Sequence, residues 1–296
     1  MQSVESKDGT IQRYVDILSN GGFKALFGDA GNKDVVMSII NVFLPDHRRV
    51  VDISYLPTEH HGPVMDHSKD FQFDFMCTDA SGTVFIVEMQ RYREQSWFKR
   101  CVSYASRIYD RQNRTGFDYD VPPVYLIGLM GVDIPHPDTE YWRERYISEY
   151  TFREKNCHDL LDETIFIIFA ELKRFHKREE ECETLQDKLL YLLKNSGRMT
   201  QPPAWADEEH CKEILNAMEI SDFSDIKRKQ YDKDMYDERR RNGELAAARE
   251  DGMEQGLAAG ELAGRKATAR KLLEMGMPLE QVVEATGLDR SVVKSL

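Results

Sequence analysis

Asp74, Glu88 and Gln90 are the residues whose types and spacing best suit chemistry. They lie in the stretch from Lys69 to Gln90. There Phe71, Phe73 and Phe75 alternate with Gln72, Asp74 and Met76, and Phe85, Val87 and Met89 alternate with Ile86, Glu88 and Gln90. A period of two marks a half-buried strand. Between the runs, Asp79-Ala-Ser-Gly-Thr83 suits a three-residue hairpin loop, a type I turn followed by a left-handed residue. Gly82 takes the left-handed position without a Cβ penalty. That turn pairs Asp79 with Thr83, and counting back along the ladder sets Asp74 directly opposite Glu88 on one face. Gln90 shares that face, and the Phe side chains are expected on the other, in the core.

Opposed carboxylates repel each other, so a purely structural sheet gains nothing from the pair. A divalent cation reverses the sign. Mg2+ takes carboxylate oxygens and keeps several waters for substrate phosphate, and Mn2+ or Ca2+ are alternatives. The same pattern also fits a solvated polar face on an ordinary hairpin.

Asp74, then Glu88-Met-Gln90, then an Arg-rich helix with Tyr104 resembles the PD-(D/E)XK nuclease superfamily, and more narrowly its Rpn family of recombination-promoting nucleases and transposases. Segments agreeing in order are Phe23-Lys-Ala-Leu-Phe-Gly28, Lys69 with Asp74, Ile86-Val-Glu-Met-Gln90, Phe98-Lys-Arg100 with Tyr104, Gly116-Phe-Asp-Tyr119, Pro123-Val-Tyr125 and Glu171-Leu-Lys-Arg-Phe175. Lys173-Arg174 departs from the family's usual Pro-Lys, and Asp70 sits at a variable position. The resemblance implies a restriction-endonuclease-like α/β core, with a central mixed sheet flanked by helices. It implies Asp74 and Glu88 as metal ligands, the Gln90 backbone carbonyl nearby, and Gln90 where the wider superfamily often has the lysine that orients the attacking water. Lys69 is then a candidate for the missing positive charge.

Those residues must be positioned by the elements around them. With 296 residues the chain can bury one good core plus an appendage, and 31% charged residues point to an exposed helical part. A net charge of −12 excludes a globally basic nucleic-acid coat, so any DNA contact must use local basic patches. Cys77, Cys101, Cys157, Cys182 and Cys211 form no CxxC pair, which suits packed free thiols in a reduced, cytoplasmic setting. No signal peptide or membrane-spanning apolar run is evident, so no membrane partner is expected.

Residues 1–21 read as a flexible N-terminus and 22–200 as the nuclease-like core. Asn32 through Leu44 reads as a helix stopped by Pro45, with Asn41 and Asp34 as candidates for a further polar group at the metal site, or simply caps and surface groups. His60, His61, Asp66 and His67 cluster before the hairpin in no standard zinc spacing, which favours a loop near the DNA path. Ser96 to Gln112 reads as an amphipathic helix burying Phe98, Cys101, Val102, Ala105, Ile108 and Tyr109. On it Arg100, Arg107 and Arg111, with Arg114 beyond, form a stripe suited to DNA phosphates, alongside Tyr104. The apolar runs Val124–Met130 and Glu163–Glu171 suit central strands buried on both faces. Trp142 through Lys155 reads as a helix or an excursion, and the leucines from Leu185 to Leu193 as a short helix broken at Gln201-Pro-Pro203.

Residues 201–265 read as a charged stalk in which Gly252, Gly256, Gly260 and Gly264 recur every four residues, a smooth strip for self-association or else a tether. Its runs Lys227-Arg-Lys229 and Arg239-Arg-Arg241 suit a solvated face more than a DNA-tracking one. Residues 266–296 read as a small helix-turn-helix-like module, with Pro278 starting a helix, Gly287 at the turn and Asp289 capping the next. The combined expectation is a metal-dependent endonuclease acting on double-stranded DNA, linked to recombination or a mobile element, and assembled as a homo-oligomer through the C-terminal helical tail. The competing expectation is a catalytically weak DNA-binding or oligomeric scaffold protein of a mobile element.

Overall fold

The computed structural model describes residues 12–60, 71–113 and 119–296. The helices α1 (Asn20–Phe27) and α2 (Lys33–Asn41) come first, followed by the short strands β1 (Ser54–Tyr55), β2 (Glu59–His60) and β3 (Phe71–Gln72). The hairpin strands β4 (Phe75–Thr78) and β5 (Val84–Gln90) lead into α3 (Trp97–Gln112). Then come β6 (Val124–Met130), α4 (Glu140–Arg143), β7 (Ile147–Tyr150), β8 (Ile165–Glu171), α5 (Leu185–Asn195) and α6 (Glu209–Met218). The chain ends in α7 (Asp225–Glu274), α8 (Leu279–Thr286) and α9 (Arg290–Lys294).

Six strands form one mixed sheet in the order β1-β4-β5-β6-β8-β7, parallel where β5, β6 and β8 adjoin and antiparallel towards both edges. The sheet is buried on both faces. Phe75, Phe85, Val87, Tyr125, Ile127 and Ile168 pack towards α1, α2, α5 and α6. Met76, Val84, Ile86, Leu126 and Ile167 pack towards Trp97, Cys101, Ala105 and Ile108 of α3. Double burial is why β6 and β8 read as unbroken apolar runs.

The hairpin has the expected turn. The Asp79 N–H donates to the Thr83 carbonyl at 3.1 Å, the Gly82 N–H to the Asp79 carbonyl at 3.1 Å, and Gly82 has φ +85°. The Asp79 carboxylate accepts the Ser81 and Thr83 N–H groups and so fixes the loop. The pairs Phe75–Val87 and Met76–Ile86 have the expected register; the ladder ends at Phe75, and the Asp74 N–H meets the Glu88 side chain instead.

Several expectations need correction. Phe73 and Phe75 enter opposite cores rather than one, because the strand breaks between them. β3 pairs with β2, the Phe73 N–H reaches the Thr58 carbonyl at 2.9 Å, and the chain bends at Asp74 before β4 begins. The side chain of Phe71 lies outside the described residues. Trp142–Lys155 is neither a helix throughout nor an excursion, since Ile147–Tyr150 is an antiparallel edge strand on β8. On α3, Phe98 is 39% exposed and Val102 is 53% exposed, because the inward stripe is Trp97, Cys101, Ala105 and Ile108. Cys77, Cys101, Cys182 and Cys211 are buried, whereas Cys157 is exposed.

The N-terminal stretch is not loose from Gln12 onward. Tyr14, Val15 and Ile17 are core residues, and the Val15 N–H reaches the Met218 carbonyl at 3.0 Å. The core also extends past residue 200, through Ile214, Leu215, Met218, Ile220 and Tyr231. The chain divides into two compact units between Met235 and Tyr236. In the second, Ala269, Val282, Leu288 and Val293 make a small core of their own. Gly287 has φ +62° at the end of α8, and the Asp289 side chain accepts the Ser291 N–H at the start of α9. α7 runs unbroken past residue 265, and a Cβ at Gly252, Gly256, Gly260 or Gly264 would meet nothing within 4 Å. Among the described residues no helix is long and apolar enough to cross a membrane.

Candidate active site

Asp74 sits at the bend before β4, and Glu88 and Gln90 lie near the end of β5 on the face covered by α3. The two carboxylates interlock with the hairpin backbone. The Asp74 N–H donates to Glu88 Oε1 at 3.1 Å, and the Met89 N–H donates to Asp74 Oδ2 at 2.8 Å. No described residue donates a hydrogen bond to the second oxygen of either carboxyl.

The face is only partly solvated: Glu88 is 3% exposed and Gln90 9%, whereas Asp74 at the bend is exposed. Across the sheet Glu88 is in register with Gly128, and Gly128 with Phe169. A Cβ at Gly128 would approach Phe169 Cδ1 to 2.8 Å and Trp97 Cζ2 to 3.3 Å, so glycine lets two aromatic rings close in beside the carboxylate. Burial therefore pushes the Glu88 carboxyl well above the usual range, and the nearby Asp74 charge pushes it further. Desolvation by the packed groups around it also raises the Asp74 carboxyl, partly offset by the Met89 N–H, Arg100 and Lys24.

Gln90 and Arg100 form a second layer. Arg100 Nη2 donates to Gln90 Oε1 at 3.1 Å, Arg100 Nη1 donates to Glu94 at 2.7 Å, and the Gln90 amide donates to the Tyr92 carbonyl. The guanidinium lies over the Trp97 ring at 4.8 Å. The Gln90 carbonyl accepts the Gly131 N–H at 2.9 Å, so it already serves at the junction with the chain after β6. Tyr104 donates its hydroxyl to the Gln72 carbonyl at 3.1 Å and packs its ring on Phe73 at 4.8 Å, which ties α3 to β3. Arg107 and Arg111 lie further along α3, half-buried and exposed respectively.

Of the other expected site residues, Lys69, His61, Asp66, His67 and Arg114 lie outside the described residues. The backbone of His60 pairs with Phe71 in the short ribbon β2–β3. Asn41 holds Val50 through both backbone hydrogen bonds, at 2.8 and 2.7 Å, and Asp34 is exposed, so α2 contributes neither to the pair. The helix that faces Asp74 is α1. A cleft of about 510 Å3 is lined by Asn20 and Lys24 of α1 together with Tyr55, Gln72, Asp74 and other residues. Position alone did not single out Lys24 in the sequence, although it sits in the Phe23–Gly28 segment. In the basic runs of α7, Lys227 pairs with Asp29 at 2.7 Å and Arg228 with Asp232 at 3.3 Å.

The donor set suits a hard divalent cation. Among the described residues no group of three or more His, Cys, Asp and Glu side chains could hold a metal, which excludes a closed four-ligand site there. Two carboxylates, each with one oxygen oriented by a backbone N–H, match the one or two that Mg2+ takes.

A mixed sheet between helical layers, carrying an acidic pair on its central hairpin, defines an α/β fold of the PD-(D/E)XK nuclease class. The chain belongs to the PD-(D/E)XK nuclease family transposases, whose family model matches residues 20–248. Its function is accordingly of the nuclease and transposase-related kind. No curated protein and no solved structure matches the chain.

Proposed function

We propose that the chain is a metal-dependent endonuclease that hydrolyses phosphodiester bonds of double-stranded DNA during recombination or mobile-element activity. The observation that carries this reading is the exposed Asp74 on an open cleft, hydrogen-bonded through its N–H to the buried Glu88, whose carboxyl is raised by burial and by the Asp74 charge. A fold that keeps a buried acid this close to a second carboxylate favours binding a cation there. Asp74 and Glu88 would hold Mg2+, or Mn2+ or Ca2+, and the bound ion would supply Lewis-acid polarisation of the phosphodiester. Gln90 keeps a polar group on the same face, and Arg100 holds its orientation. Arg107 and Arg111, with Tyr104, extend that side of the site along α3 as a surface for the DNA backbone.

A second reading, a DNA-binding or oligomeric scaffold of a mobile element, draws support from α7, whose Gly252–Gly264 strip is open to another helix. Both readings include self-association through the tail. The test is plasmid DNA incubated with purified protein and Mg2+, Mn2+ or Ca2+, against EDTA and Asp74→Asn. Metal-dependent nicking that Asp74→Asn abolishes supports the nuclease. DNA binding with no nicking under any of these ions sinks it and leaves the scaffold.

A further inference from the structure

Two neighbouring carboxylates, Asp74 exposed on the cleft and Glu88 buried behind it, repel an approaching phosphodiester unless the cleft wall carries a fixed cation. Arg100 is already engaged, with Glu94 at 2.7 Å, Gln90 at 3.1 Å and the Trp97 ring at 4.8 Å. Gln90 is uncharged, and both ends of its amide are used. Lys24 lies on the other wall. It lines the same cleft as Asp74, together with Asn20 and Gln72. Its side chain is 57% exposed, and its ion pair with Asp234 spans 3.9 Å, too long for a hydrogen bond. Its charge already reaches Asp74, whose carboxyl it helps to lower. A lysine ammonium is a compact point charge on a flexible stem, able to swing from a weak carboxylate partner to a phosphate.

We propose that Lys24 binds a backbone phosphate of the DNA strand entering the cleft, opposite the Asp74–Glu88 pair. This rests on the nuclease reading for its substrate. Lys24 acts as a positioning residue, and Asp234 holds its ammonium between encounters.

The test uses the full chain carrying Asp74→Asn, in EDTA, so that neither cleavage nor metal is needed. Affinity for a short duplex is measured across a salt series. Adding Lys24→Met should weaken binding roughly tenfold and lower the salt slope by about 1. Lys24→Arg should keep both, and melting curves check that each variant folds. Asp234→Asn separates the alternatives: it should bind as well as its parent or better, because the competing carboxylate is gone. If Asp234→Asn weakens binding as much as Lys24→Met, Lys24 acts only by docking helices and the proposal is overturned. An unchanged slope for Lys24→Met, or a parent that binds no DNA, overturns it as well. Failure of the nuclease reading looks different: the wild-type chain cuts no DNA with any ion, yet Lys24→Met still lowers the salt slope.

Discussion

Asp74 and Glu88 hold each other's strands. The Asp74 N–H donates to Glu88 Oε1 at 3.1 Å, and the Asp74 carboxylate accepts the N–H of Met89, the residue after Glu88, at 2.8 Å. The charges repel while the hydrogen bonds attract. A substitution that removes only the charge therefore separates the two effects. Glu88→Gln keeps an acceptor for the Asp74 N–H, and without metal it should raise stability by on the order of 1 kcal/mol. Glu88→Ala leaves that N–H unpaired and should cost about 1–3 kcal/mol. Both should abolish cleavage. Urea melts of the metal-free proteins decide the structural half, and equal stability of the two variants would mean that the N–H contact contributes nothing.

The pair should also make the metal-free protein lose stability as pH rises. Both folded carboxyls lie above their ordinary values of 3.8 for Asp74 and 4.5 for Glu88. Below those values the protonated pair contributes its full stability. Between them and the raised folded values the unfolded chain ionises first, and the contribution is lost. Glu88→Gln should flatten that decline. Thermal melts in EDTA across the carboxylate range and above it measure this, and parallel curves for wild type and variant would refute it.

Gln90 and Arg100 should be energetically coupled through their 3.1 Å hydrogen bond. Gln90→Lys retains a donor for the Tyr92 carbonyl but sets an ammonium against the guanidinium. It should cost about 1–2 kcal/mol on its own. Arg100→Gln in the same chain should recover most of that loss, so a double-mutant cycle by denaturant melts reads the coupling. Additive effects would show that the amide is independent of Arg100.

Gly128 should tolerate no side chain. A Cβ there would come within 2.8 Å of Phe169 Cδ1, with Trp97 closing the other side at 3.3 Å. Gly128→Ala should cost about 1–3 kcal/mol and reduce cleavage more than an equally destabilising change far from Glu88. Melting temperature and nicking rate measured together separate the two effects.

Truncation should respect the core rather than the leucine helix. A chain ending at Ser196 loses Ile214, Leu215, Met218, Ile220 and Tyr231, all buried, and should not melt cooperatively. A chain ending at Arg241 keeps them and should melt as a unit. If the tail assembles the protein, this second chain should also sediment as a smaller species than the full chain, and linearise plasmid less relative to nicking.

The hairpin was legible in the sequence because local rules determine it. A three-residue loop with glycine at its left-handed position sets the register from Asp79–Thr83 to Phe75–Val87, and one further step of the count brings Asp74 beside Glu88 through chain neighbours alone. The apolar runs of β6 and β8, the leucine pattern of α5 and the Gly287 turn are equally local. What only the tertiary structure decided depends on residues distant in the chain. Phe73 leaves the core of Phe75 because β2 takes over its pairing, and β7 exists because β8 offers it an edge. Glu88 is desolvated by aromatic rings from α3 and β8 that Gly128 admits. Lys24 meets Asp74 across the cleft through helix packing, while its distance along the chain gives no hint of it. Turn chemistry and periodicity act between neighbours. Burial, and the charge environment that burial creates, belong to the assembled sheet.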